Sequence, residues 1–442
     1  SPVEYEVFQM RHLTYLYSSL STPVFMRGVS VGAVMAVSPA SHAADQVLVD
    51  KGRYLATAAD CSACHTAPGG EPFAGGYPLK TPVGTIFSTN ITPSSTGIGG
   101  YTKAEFSEAV RHGVARGGKR LYPVMPYTSY AGITDDDIDA LYAYFTFTVA
   151  PVDKENRQNT VGFPFNIRLA MIFWNALYLD RTTFHPKRQE PAQIVRGRYL
   201  VDNLEHCGTC HTPRTMFMGP KKGQELSGSV LGAWYAPNIT SDKTSGIADW
   251  SDNDLRNYLQ TGHATDKGQA AGPMAEAVEH STQFLTQDDI DAIIAYLRHV
   301  PAVVGDDKQP RTSFDMTTRP EDTLRGLTTA NAKGWKIFSG SCAACHQPEG
   351  EGLNAYPSLT HNSVTGAANA QNLVTTILAG VQRTTGETTT FMPAFGPDAL
   401  WVNRLSDQDI ADVSNFVLKT FGNPSVQIDA SYVAKRRAEL AP

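Results

Sequence analysis

"GRYLATAADCSACH", from Gly52 to His65, ends on two cysteines three positions apart with a histidine directly after the second. Such an ending serves three different chemistries: a zinc site, a dithiol redox pair, or the covalent attachment of haem. The stretch returns as "GRYLVDNLEHCGTCH" (Gly197 to His211) and in outline as "GWKIFSGSCAACH" (Gly334 to His346). These three copies use all six cysteines of the chain, which leaves none for a disulfide. A recurring motif of this kind means that one structural unit is repeated, so the surroundings of each copy decide the fold.

Those surroundings repeat as well. Each motif closes a short helix that is apolar on one side. "STNITP" (Ser88 to Pro93) is echoed by "APNITS" (Ala236 to Ser241), and "YPSLT" (Tyr356 to Thr360) stands in the third copy. A second helix follows in "AEFSEAVRHG" (Ala104 to Gly113), "NDLRNYLQTG" (Asn253 to Gly262) and "QNLVTTILAG" (Gln371 to Gly380). Its glycine is placed to end it in the left-handed conformation. The third helix, "TDDDIDALYAYF" (Thr134 to Phe145), "TQDDIDAIIAYL" (Thr286 to Leu297) and "SDQDIADVSNFV" (Ser406 to Val417), begins on a Ser/Thr N-cap with an acid three residues on. That pattern marks a capped helix start. One apolar face recurs, as Ile138, Leu141 and Phe145, then Ile290, Ile293 and Leu297, then Ile410, Val413 and Val417. The expectation is an all-α fold of three tandem helical domains over residues 44–155, 191–305 and 325–425. An aromatic linker (156–190) and a polar one (306–324) join them, and a tail covers 426–442.

The repeats discriminate among the three chemistries. Structural zinc takes four ligands, usually cysteine or histidine, and each unit offers two cysteines and one adjacent histidine. A thioredoxin-like pair sits on a βαβ scaffold, which no unit suggests, and has no use for the histidine. Haem uses every residue: on one helical turn two thiols form thioethers to the vinyl groups, and the histidine faces the iron. The cofactor expected is three covalently bound haem c groups, on Cys61 and Cys64, Cys207 and Cys210, and Cys342 and Cys345. His65, His211 and His346 are the first axial ligands.

A count identifies the second. The glycine ending each second helix is followed at one constant spacing by a methionine: Gly113 by Met125, Gly262 by Met274, Gly380 by Met392. Each has a proline nearby, in "YPVMPY", "AAGPMAEA" and "TTFMPAFG". Packing methionines are common, but Met392 is alone in its repeat. Met216 and Met218 follow their motif too closely to reach the opposite face. His112 and His263 are assigned to helix ends or the surface rather than to iron, and Arg111 and Lys119 are candidates either for partners of haem propionates or for a solvated face. Two axial ligands on every iron fit electron transfer and leave no open position for substrate.

The 442 residues are too many for one ordinary domain, and 41% hydrophobic content is ample for packed cores. The formal net charge of −6, with no basic stripe, argues against nucleic acid. Residues 1–43 read as an export leader with upstream residues. Arg27 precedes the apolar "GVSVGAVMAVSPA" (Gly28 to Ala40), and Ser41-His42-Ala43 offers a small-x-small cleavage site. "VGFPFNIRLAMIFWNALYL" (Val161 to Leu179) carries Pro164, Asn166, Arg168 and Asn175 and is expected to dock on a surface rather than span a bilayer.

These motifs together resemble the trihaem cytochrome c subunits of membrane-bound bacterial dehydrogenases. That family serves flavin-dependent gluconate, 2-ketogluconate, sorbitol and fructose dehydrogenases and the quinoprotein alcohol dehydrogenase. The resemblance rests on "GRYL…DCSACHT", "STNITP…GIGGYT", "LYPVMPY", "HCGTCHTPR", "AAGPMAEAVEHS", "CAACH" and "MPAFG", and covers nearly all of Ala44 to Asn423. It implies three cytochrome c-type domains, a large dehydrogenase subunit (flavoprotein or quinoprotein), with or without a small one, as partners, and ubiquinone as acceptor. It places the chain on the periplasmic face of the cytoplasmic membrane. "AAGPMAEAVEHS" favours the flavoprotein polyol and sugar-acid branch. Some members continue into a hydrophobic tail, whereas this sequence ends at Pro442. Attachment is therefore expected through the aromatic linker, a partner, or a tail beyond that residue. The competing functions are a multihaem peroxidase, which needs one open iron, and a free periplasmic electron shuttle.

Overall fold

The computed structural model describes residues 39–316, 329–353, 356–396, 399–400 and 404–440. The leader expected over 1–43 lies outside them as far as residue 38, and so does the 317–324 portion of the polar linker. Residues Ala44–Pro442 form one compact unit.

Each repeat supplies a short set of helices. The first contributes α1 (Pro39–Ala58), α2 (Cys61–His65), α3 (Lys103–His112), α4 (Tyr127–Tyr130) and α5 (Asp135–Phe147). The aromatic linker contributes α6 (Ala170–Tyr178). The second repeat has α7 (Ala192–Tyr199), α8 (Gly208–His211), α9 (Asp252–Thr261), α10 (Gly272–His280) and α11 (Gln287–His299). The third has α12 (Thr329–Ser341), α13 (Ala343–His346), α14 (Gln371–Ala379), α15 (Asp407–Phe421) and α16 (Ala430–Leu440). The expected N-caps are present: the side chains of Thr134, Thr286 and Ser406 accept from the backbone N–H of Asp137, Asp289 and Asp409.

The all-α expectation needs correcting. Five two-stranded antiparallel pairs lie among the described residues: β1–β2 (Pro78–Thr81, Gly84–Phe87), β3–β4 (Val114–Ala115, Lys119–Arg120), β5–β6 (Ser229–Leu231, Trp234–Ala236), β7–β8 (His263–Ala264, Gly268–Gln269) and β9–β10 (Val381–Thr385, Thr388–Met392). They lie in the loops after a CxxCH motif or after a second helix. There the chain must reverse within a few residues, and a hairpin satisfies the backbone polar groups of both arms locally. Segments of two to five residues carry too little alternation to be read as strands.

A glycine fixes how the first and third helices of every repeat cross. A β-carbon at Gly52 would lie 1.9 Å from the Ala140 carbonyl oxygen, one at Gly197 1.9 Å from that of Ala292, and one at Gly334 2.4 Å from that of Asp412. Only a residue without a side chain permits this approach. The second repeat has one residue more than the first between that glycine and its first cysteine, and a π-helical turn over Leu200–Leu204 takes it up. A single insertion in a helix is commonly accommodated in this way.

The first two repeats share one core, in which Leu55, Ile138 and Leu141 are continuous with Leu200, Ile290 and Ile293. Polar groups are exchanged across the join. Tyr54 donates to Asp289 at 2.6 Å and accepts from the Thr286 N–H at 3.1 Å. Its counterpart Tyr199 donates to Asp137 at 2.6 Å and accepts from the Thr134 N–H at 3.3 Å. A cation completes each half, Arg196 on Asp289 and Lys51 on Asp137. The third repeat has its own core around Phe338, Phe416 and Phe421. It meets the second through polar side chains of α14. Gln371 donates to the Trp234 carbonyl (2.7 Å), Asn372 to that of Tyr235 (2.8 Å) and Thr375 to that of Ala233 (2.7 Å). No described helix is long and apolar enough to cross a membrane.

Candidate functional site

The three CxxCH segments are each set off from the helix before them. Asp60 and His206, the residues before Cys61 and Cys207, are left-handed, with φ of 51° and 39°. This turn swings the following cysteines and histidine out of line with α1 and α7. None of the six cysteines is in a disulfide.

One arrangement recurs behind each histidine. His65 Nδ1 lies 2.7 Å from the Thr89 carbonyl oxygen, His211 Nδ1 2.7 Å from that of Pro237, and His346 Nδ1 3.0 Å from that of Pro357. With Nδ1–H donating to a carbonyl, Nε2 keeps its lone pair for a metal. The accepting residues stand directly before Asn90, Asn238 and Ser358, so the "NIT" echo has a purpose. Asn90 and Asn238 fold over their own loop, each Oδ1 accepting from the N–H of Thr92 and Thr240 at 2.9 Å. Each Nδ2 reaches a later segment, Val152 O at 2.8 Å and Val303 O at 2.7 Å. A glycine of positive φ lets this loop approach. The N–H of Gly75, Gly228 and Gly352 donates to the carbonyl of His65, His211 and His346 at 2.7, 2.7 and 2.9 Å. A β-carbon on Gly75 would lie 2.4 Å from Thr89, and one on Gly352 2.7 Å from Pro357.

The methionines reach their places by two routes. Gly113 and Gly262 end their helices in the left-handed conformation, and their carbonyls accept from Leu121 and Ala270 at 2.8 Å. Met125 and Met274 come four residues after that return. Gly380 has φ 72° but ψ −171°, so it is not the left-handed cap expected of it. It leads directly into β9, and Met392 ends β10 opposite Val381. A β-carbon on Gly380 would lie 2.6 Å from the Met392 carbonyl oxygen. The equal spacing therefore covers two geometries. Met125 packs partly buried against the shared core and Met392 against the third. Met274 is half-buried on α10, which touches α2 of the first repeat.

The side chains of the motifs are half-exposed, yet they behave as groups removed from water. Burial raises the thiols of Cys61, Cys64 and Cys342 to about 12 and puts that of Cys207 well above its ordinary value. Burial likewise lowers His65, His211 and His346. The residues present fit covalent haem: uncharged sulfurs suit thioethers, and a neutral imidazole with Nδ1 engaged suits an axial ligand. A bare ion fits poorly, because among the described residues no three His, Cys, Asp or Glu side chains converge on one point.

The sequence did not reveal the acids between the first two motifs. Burial, then the charge of Glu276, raises Asp60 to about 8. Burial and Asp60 raise Glu205 well above the carboxylate range, and Ser281 donates to it at 3.0 Å. Burial lowers His206 to about 4, and its ring meets Tyr130 at 5.5 Å. The signal was their place next to a cysteine, which no periodicity marks. The competing residues are engaged elsewhere. His112 Nδ1 is 2.8 Å from Glu108, Arg111 pairs with Asp135 at 2.7 Å, and the His263 side chain is hydrogen-bonded to Gln269 across β7–β8. Lys119 is exposed on β4, as are Met216 and Met218 on their loop.

Comparison with known proteins shows the family. The family model for cytochrome c matches residues 49–146, 194–301 and 331–421. The fructose dehydrogenase cytochrome subunit of Gluconobacter japonicus is 42% identical over 95% of this chain and 89% of its own length. The gluconate 2-dehydrogenase cytochrome c subunit of Pantoea cypripedii is 40% identical over 93% of each. The cytochrome c subunit of the quinone alcohol dehydrogenase of Gluconacetobacter polyoxogenes is 38% identical over 90% of this chain and 86% of its own.

Proposed function

Because the chain belongs to the cytochrome c family and carries three covalently bound haem c groups, we propose that it is the electron-transfer subunit of a dehydrogenase complex oxidising a sugar acid or polyol. Its large partner is a flavoprotein of the gluconate 2-dehydrogenase kind, and membrane ubiquinone is the acceptor. Cys61, Cys64, Cys207, Cys210, Cys342 and Cys345 hold the haems; His65 with Met125, His211 with Met274, and His346 with Met392 ligate the irons. The domains are those of residues 44–155, 191–305 and 325–425. The complex works at the periplasmic face of the cytoplasmic membrane.

The observation that carries the reading is the threefold recurrence of one site. In each, a carbonyl occupies Nδ1 of the histidine, burial disfavours the charged imidazolium, and a methionine follows the second helix. Haem so ligated supplies a one-electron carrier without an open coordination position. The chain's own contribution is to hold each imidazole in one orientation, keep it desolvated and supply the thioether. Carbon monoxide should therefore bind none of the native haems; binding to one would favour a peroxidase.

The test is reconstitution. The purified chain should oxidise no sugar, alcohol or sugar acid by itself. Mixed with its large subunit, substrate and a ubiquinone analogue it should support turnover, and Cys342→Ala should impair this. Dehydrogenase activity from the chain alone overturns the proposal. Equal quinone reduction by the large subunit without it does so too.

A further inference from the structure

The linker helix α6 buries one side chain, Asn175, which accepts from the Tyr127 hydroxyl at 2.7 Å. Around it the apolar side chains face outward: Phe163 is 81% exposed, Leu169 69% and Phe173 75%. A second segment joins this surface from the loop after the second CxxCH motif. Trp174 Nε1 donates to the Phe217 carbonyl at 2.9 Å, and the Tyr178 and Thr215 hydroxyls lie 3.0 Å apart. Gly219 lets the loop close on the Tyr178 ring, where a β-carbon would sit 2.2 Å away. Met216 (88% exposed), Phe217 and Met218 extend the same apolar face. Exposed apolar groups gathered this way mark an interaction surface.

Charge identifies the occupant. Neither Val161–Leu179 nor Thr212–Gln224 contains an aspartate or glutamate, although the whole chain carries −6. The rim is basic: Arg181, Arg188, Lys221 and Lys222 are exposed and in no ion pair among the described residues. Asp180, Glu190 and Glu225 are the acids at its edge, and the exposed Glu225 accepts from the Gly223 N–H at 3.0 Å. Glu190 is committed to Arg198 at 2.7 Å, and hydrogen bonds from Thr182 hold the Asp180 carboxyl low. At 9 residues α6 is about 13 Å long, too short to cross a bilayer but able to lie flat with its peptide groups bonded internally. An apolar face without acids and with a lysine and arginine rim is the chemistry of a helix lying in the headgroup region of an anionic bilayer.

We propose that α6 and the Met216–Met218 loop together form the face by which this chain inserts shallowly into an anionic phospholipid surface. The inference deepens the membrane location proposed above and rests on it, but lipid binding needs no electron transfer, so the two fail separately.

The test is flotation of the haem-loaded chain with phosphatidylcholine vesicles containing about a third phosphatidylglycerol, and with pure phosphatidylcholine. The native chain should float with the anionic vesicles. Leu169→Glu with Phe173→Glu should lower partitioning at least tenfold on both, because the changed side chains are exposed and the haem spectrum should stay native. Lys221→Glu with Lys222→Glu should lower it about tenfold on anionic vesicles alone. A native chain that stays at the bottom overturns the inference, and so does a Leu169→Glu, Phe173→Glu chain that floats as well as native. If that chain keeps vesicle binding but loses the large subunit in a pull-down, the face is a protein interface and the inference fails.

Discussion

At Asn238 one side chain holds a histidine in place without touching it. Its Oδ1 accepts from Thr240 and its Nδ2 binds Val303 O, which fixes the loop whose Pro237 carbonyl receives His211 Nδ1–H. Such a bond orients the ring and makes it a stronger donor to the metal. Asn238→Ala should cost about 1–3 kcal/mol for the groups left unpaired. By loosening that bond it should also raise one of the three midpoint potentials in a redox titration. Met392→Ala should act in the opposite sense. Cys342, Cys345 and His346 are untouched, so haem stays attached, but losing a thioether that favours ferrous iron lowers one midpoint. Three unshifted midpoints would make Met392 a packing residue. The cysteines, histidines and methionines proposed as the site stand out in the sequence because each repeats at fixed spacing. The carbonyls of Thr89, Pro237 and Pro357 were not, since every residue has one and only the fold selects among them.

Between elements, two tyrosines cross over. Tyr54 on α1 serves the N-terminus of α11, and Tyr199 on α7 serves that of α5. Both were visible within the repeated "GRYL", and the acids within the repeated N-cap motif. Their pairing across repeats was not, because a capping acid looks the same whether or not a neighbour shares it. Burial alone would raise the Asp289 carboxyl, but hydrogen bonds from Arg196 and Tyr54 outweigh it and hold it below the ordinary value. A depressed carboxylate adds stability that is complete above its unfolded pKa, near 4, and is lost as pH falls through the lower folded value. Acid should therefore weaken the join between the first two repeats below about pH 4. Tyr54→Phe should bring that loss to higher pH, because one of the bonds favouring the anion is gone. Acid denaturation curves followed by circular dichroism would check this, and coincident curves for native and variant chains would rule it out.

Across the whole molecule, three similar repeats do not make three equivalent parts. Counted from Gly334, the third repeat has Lys336 where the others have Tyr54 and Tyr199, and Trp335 where they have arginine; its Lys333 pairs with Asp409 and Asp412, as Lys51 and Arg196 pair within their own repeats. Its core around Phe338, Phe416 and Phe421 is separate from the shared core of the first two. Its contact with the second repeat runs through side-chain amides and hydroxyls and the buried Arg383, which donates to the Ala270 carbonyl at 2.6 Å. Apolar burial dominates cooperativity and each hydrogen bond adds only about 1 kcal/mol net. Unfolding in guanidinium should then show two transitions, one for the first two repeats together and one for the third. Tyr199→Phe leaves the Asp137 carboxylate short of a bond to a buried hydroxyl, worth about 1.5–3 kcal/mol. It should lower the midpoint of the first transition and leave the second in place. A single transition for the native chain, or a variant that moves both midpoints equally, would mean that polar contacts bind the third repeat as firmly as the shared core binds the other two.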